Sequence, residues 1–110
     1  MLAASVLNDC KYCCAAHGTA ARGMKIEPAD IQAILEGGLP ADPELAGVVE
    51  AARLIQTKRG KLSPEDIAAL EAKGITKPVM YELVALIGAK IITSHIDHIA
   101  HPVIDPQFGG

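Results

Sequence analysis

Cys10, Cys13 and His17, in the run Cys10-Lys11-Tyr12-Cys13-Cys14-Ala15-Ala16-His17, are the residues of this chain whose types and spacing could do chemistry. If Asn8 or Asp9 caps a helix here, both cysteines fall in its first turn, where free N–H groups and the helix dipole favour a thiolate. His17, four residues past Cys13, lies one turn along on the same face and can take its proton. Cys13 is then the attacking thiolate. Cys10 is the resolving thiol that condenses with a Cys13 sulfenic acid to form a disulfide.

Other chemistries compete for the same residues. Cys10, Cys13 and His17 could supply three zinc ligands, with Cys14, His95 or His98 as the fourth. Structural zinc sites usually draw a second ligand pair from a separate knuckle, and the chain has no second Cys-x-x-Cys. The thiols could also be small core residues, a role that suits Cys14, turned about 100° from Cys13 round the helix. A thioredoxin-like fold is excluded by the lack of alternating β and α patterns.

The elements that must position these residues read as helices throughout. The first site helix runs from about Cys10 to Arg22, stopped by Gly23; Met1 to Leu7 reads as the end of an earlier helix. Pro28 opens a short helix that ends at Gly37-Gly38, and Pro43 opens a longer one reaching about Lys58. Ser63-Pro64-Glu65-Asp66 is an N-terminal signature for a helix that stops at Gly74. Thr76 caps the last helix, Lys77 to about His101, and Pro102 to Gly110 reads as an extended tail.

The last helix carries Met80, Val84, Ile87, Ile91, His95 and His98 on one stripe and Ile92, Ile96 and Ile99 on the next. So much apolar circumference predicts burial on several sides, including a subunit interface. His95 and His98 are expected to hydrogen-bond there, with the alternative that one of them lies near the thiols as a proton shuttle or substrate contact. His101 is placed on a solvated side with Ser94 and Asp97.

The 110 residues fit one domain, 1–110, and half are hydrophobic while only Tyr12, Tyr81 and Phe108 are aromatic. A net charge of −3 without a basic block or stacking platform argues against nucleic acid. The segment Met1 to Leu7 is too short for a signal sequence, and no apolar run approaches the length of a membrane span, so a cytoplasmic location is expected. Three cysteines within five residues do not make a secreted disulfide framework.

The run from Ser5 through His17 resembles the Cys-x-x-Cys-x-x-x-His signature of the carboxymuconolactone decarboxylase superfamily, and within it the alkylhydroperoxidase AhpD-like branch. The segments Leu62 to Ile75 and Ile92 to Asp105 are similar to the family's later acidic helix and closing helix. The resemblance implies an all-α domain that assembles into a homo-oligomer, a trimer or hexamer. It also implies a peroxidase cycle with Cys13 as peroxidatic thiol, Cys10 as resolving thiol and His17 in the proton relay. Electrons would come from an external dithiol such as a lipoyl protein, and no bound cofactor or metal is expected. The decarboxylase branch lacks the cysteine pair. The family relay also uses a Glu on the preceding helix, further upstream than this chain extends before Cys10, and Tyr12 stands where some members have His. Met1-Leu2-Ala3-Ala4 accordingly reads as a helix shortened at its start. The alternatives carried alongside are a non-catalytic oligomeric or zinc-binding protein with structural thiols, and a dithiol-disulfide oxidoreductase acting on proteins.

Overall fold

Helix α1 is only six residues long, Leu2–Leu7, yet Leu2, Ala3, Ala4 and Ser5 are all buried. Four consecutive buried residues cover every side of a helix, so α1 must be surrounded. In the computed structural model, which describes residues 1–109, it packs against α2 (Lys11–Gly23), α3 (Pro28–Leu35), α4 (Pro43–Lys58) and α6 (Lys77–Ala100). Helix α5 (Pro64–Ala72) and a 3₁₀ turn at Pro106–Phe108 complete the order, and no strand occurs among the described residues. The chain is all-helical.

Local chemistry sets the element ends. Proline occupies the first turn of α3, α4, α5 and α6, where its missing N–H has no intrahelical role. Asp42 caps α4 by accepting from the Glu44 and Leu45 amides. Ser63 and Asp66 form a reciprocal capping box on α5. That helix stops because Gly74 takes a φ of +84°, so that the Gly74 amide reaches Glu71 O and the Ile75 amide reaches Leu70 O. This 6→1 and 5→2 pair turns Ile75 inward against Leu70 in the same core cluster.

Two apolar clusters flank α1. One gathers Ala51 and Ile55 of α4 with Leu70, Ile75, Met80, Leu83 and Ile87. The other joins Leu2 and Ala3 to Ile31, Ile34 and Val49. The buried residues of α6 are Met80, Leu83, Ile87, Lys90 and Ser94, spaced alternately three and four apart. This differs from the expected stripe: Val84 is half-exposed, and His95 and His98 are exposed. The inward seam turns polar at Lys90 because the side chains it meets beyond that point belong to the thiol site.

The second apolar face of α6, with Ile92, Ile96 and Ile99, is open in the single chain. Contrary to expectation, α6 is long and apolar enough to cross a membrane by length and composition, and only 28% of its most apolar window is buried. The tail is also not simply extended. Tyr12 Oη donates to Asp105 Oδ2 at 2.9 Å, and the Tyr12 and Phe108 rings meet edge-on at 6.0 Å, which ties the segment back to α2. The last expected tail residue, Gly110, lies outside the described residues.

Candidate functional site

The site begins at the corner between α1 and α2. Asp9 takes a left-handed φ of 51° and reverses the chain, after which Cys10 is extended and caps α2. The cap is the cysteine sulfur itself: the Cys13 amide donates to Cys10 Sγ at 3.3 Å. The expected caps, Asn8 and Asp9, do other work. Asn8 closes α1, donates to Ser94 Oγ at 3.3 Å and accepts from Gln56 Nε2 at 2.7 Å, fastening the corner to α6 and α4. The Asp9 carbonyl lies 3.1 Å from His98 Nε2, a second tie to α6.

This cap brings both sulfurs onto α6. The Cys13 thiol donates to Asp97 Oδ2 at 3.3 Å, and the Cys10 thiol reaches the same oxygen at 3.6 Å. Ser94 Oγ lies 3.6 Å from Cys13 Sγ. Both cysteines are nearly closed to water, at 1% and 2% exposure. Ser94 is fully buried and Asp97 half-buried, so neither stands on a solvated side with His101 as the sequence suggested.

Burial first, then the Cys10 contact, push the Cys13 thiol up to about 11; Ser94 and Lys90 oppose this, and Asp97 adds to it. The expectation of a resting thiolate is therefore corrected: desolvation and the Cys10 contact outweigh the groups that favour the anion. In metal-free protein, the rate of Cys13 alkylation by iodoacetamide should climb about tenfold per pH unit from pH 7 towards 11. A plateau near pH 8, followed by mass spectrometry at Cys13, would contradict this environment.

His17 is placed differently from its spacing. Its Nε2 lies 2.7 Å from the Lys90 Nζ, and among the described residues no hydrogen bond joins it to either thiol. Burial first, then the Lys90 charge, lowers its pKa. A neutral imidazole protonated on Nδ1 and accepting from the Lys90 ammonium satisfies this geometry. Lys90 is buried at 7% exposure, and no carboxylate among the described residues pairs with it. Cys14 makes no hydrogen bond to Asp97 among the described residues; it lines a recess with Cys10, Val6, Leu35 and Ile104, and burial raises its pKa. His95 and His101 are exposed.

Access is from the Cys10 side. A cleft of about 480 Å³ is lined by Cys10, Tyr12, Asp97, His98, His101 and Ile104. A separate apolar cavity of about 370 Å³ touches His17 but neither thiol. Among the described residues, the side chains whose potential ligand atoms come within 4.8 Å of one another are Cys10, Cys13 and Asp97. His17, Cys14, His95 and His98, offered as zinc ligands by spacing alone, are not in that set.

Paired cysteines at the start of α2, with α1 packed before them, form the part of the chain that a family comparison recognises. Residues 1–53 match the carboxymuconolactone decarboxylase family. The match spans Cys10, Cys13 and His17 and ends within α4; it supports the superfamily and leaves Lys90, Ser94 and Asp97 outside. No curated protein matches the chain. The three α6 residues were missed from sequence. Their signal was present as a polar 90–94–97 continuation of the buried 83–87 spacing.

Proposed function

We propose that this chain is a thiol-dependent, alkylhydroperoxidase-like enzyme that reduces hydroperoxides through a Cys10–Cys13 dithiol and disulfide cycle. The observation that carries the reading is the convergence of both sulfurs on one carboxylate oxygen, Asp97 Oδ2. That oxygen can serve each sulfur in turn. In the first step Asp97 takes the Cys13 proton as Sγ attacks the distal peroxide oxygen; the O–O bond breaks, and the alcohol leaves with that proton. Cys13 becomes a sulfenic acid. In the second step Cys10 attacks the Cys13 sulfur, its proton passing by the same oxygen to the departing hydroxide, which leaves as water. An external dithiol returns two electrons and two protons.

His17 acts at one remove in this scheme. It holds the Lys90 ammonium, whose field favours the Cys13 thiolate. The near-complete burial of both sulfurs favours a small peroxide over a folded protein as oxidant. A slender dithiol arm, of the lipoyl kind, suits the cleft beside Cys10. Copies of the chain cover the open Ile92, Ile96 and Ile99 face in a trimer or hexamer, and the enzyme works in the cytoplasm.

The test is the mass of reduced, metal-free protein before and after one equivalent of an organic hydroperoxide. A loss of two hydrogens mapping to Cys10–Cys13, reversed by a dithiol, is expected. Thiols that survive unchanged would sink the reading.

A further inference from the structure

We infer that reduced Cys10 and Cys13, with Asp97, form a zinc site whose fourth position opens to the cleft. The reasoning starts from distance. A tetrahedral zinc with Zn–S near 2.3 Å and Zn–O near 2.0 Å sets a sulfur-to-oxygen edge of roughly 3.5 Å. The two thiols stand 3.6 and 3.3 Å from Asp97 Oδ2, so two edges of a tetrahedral face already have the length zinc requires. All three ligand atoms lie within 4.8 Å of one another.

The surroundings suit a thiolate–metal centre. The Cys13 amide already donates to Cys10 Sγ, and the Ser94 hydroxyl is within reach of Cys13 Sγ. Outer hydrogen bonds of this kind orient ligands and stabilise charge on sulfur. Two thiolates and one carboxylate select a borderline-soft ion over magnesium or calcium. The cleft lined by Cys10, Asp97, His98 and His101 gives an entry path and room for the water that completes the shell. The sequence argued against zinc because it lacks a second knuckle; the third ligand comes instead from α6.

Binding displaces one proton from each thiol, and disulfide formation removes both sulfur ligands. Zinc therefore occupies only the reduced form and shields it from peroxide. The site itself does not depend on peroxidase activity, since metal binding needs only the reduced geometry.

The experiment titrates reduced protein with Zn²⁺ against a chromophoric chelator, and with Co²⁺ to read the thiolate-to-metal charge-transfer absorption. One metal per chain is expected. Cys10→Ser and Cys13→Ser should lose the charge-transfer signal in part. Asp97→Asn, which removes a charged ligand, should weaken zinc by about 100-fold or more, since changes to groups that merely orient a ligand already cost about 10- to 100-fold. His95→Ala, at an exposed position, should bind as the wild type does. Circular dichroism confirms that the variants fold. In the wild type itself, zinc should protect Cys10 and Cys13 from alkylation while Cys14 remains reactive. No zinc bound in competition, an Asp97→Asn variant of full affinity, or bound cobalt without sulfur absorption would each overturn the site. None of these readouts uses a peroxide, so a failed peroxidase assay and a failed metal site are distinguishable.

Discussion

Cys13→Ser abolishes hydroperoxide consumption, a fall on the order of 10³-fold or more, because the group that attacks oxygen is gone. Cys10→Ser behaves differently. It permits one oxidation of Cys13 and then stops, and dimedone should trap the sulfenic acid at Cys13 by mass. Asp97→Asn keeps both sulfurs and removes the proton carrier they share. General acid–base catalysis contributes about 10² to 10⁴-fold, so this variant should fall between wild type and Cys13→Ser. Stopped-flow consumption of cumene hydroperoxide measures all three. A Cys13→Ser variant with wild-type turnover would show that the roles are misassigned, and an Asp97→Asn variant at full rate would remove the carboxylate from the chemistry.

His17→Leu destabilises the fold more than Lys90→Met does, although both break the same 2.7 Å contact. Leucine leaves the Lys90 ammonium buried without an acceptor, a cost of about 2–4 kcal/mol. Methionine removes the charge, keeps an aliphatic stem in the seam of α6 and leaves only a half-buried imidazole, a cost of roughly 1 kcal/mol. The double variant should return close to Lys90→Met. In a domain of this size about 1 kcal/mol moves Tm by about 4–8 °C, so the single variants should differ by roughly 10 °C in a melting curve. Acid acts in the same direction as the leucine. The His17 pKa is lowered in the fold from its ordinary 6.5, so the unfolded chain binds its proton first. Stability from this group is complete above pH 6.5 and is lost as pH falls through the folded value. Equal melting of the two single variants would show that the ammonium has another acceptor.

Helix order and most boundaries were legible because they are local chemistry: Pro28, Pro43 and Pro64 at helix starts, Gly74 at a stop, and Ser63 with Asp66 as a box. The thiol pair was legible for the same reason. What faces the pair was not, since Asp97 is 84 residues from Cys13 and nothing in the spacing of one helix fixes its partner. In α6, apolar residues occur nearly all round, so periodicity gave little contrast between the inner and outer faces. The inner seam is the one that carries Lys90, Ser94 and Asp97, polar residues that a hydrophobic pattern discounts. His17 shares a helix face with Cys13 but points its Nε2 to a partner 73 residues away. The cap at Cys10 escaped because cysteine is outside the usual capping set.

That cap makes the reacting atom a part of the scaffold. The sulfur that ends a Cys10 thiol, thiolate or disulfide is the same sulfur that fastens the first turn of α2 through the Cys13 amide. Disulfide formation with Cys13 turns that sulfur away from its place over the amide, so the hold on that turn changes with each electron pair gained and lost. Tyr12 lies inside the turn and carries the Asp105 and Phe108 contacts of the tail. The oxidation state of one side chain is thereby written into the firmness of the segment that borders its own doorway.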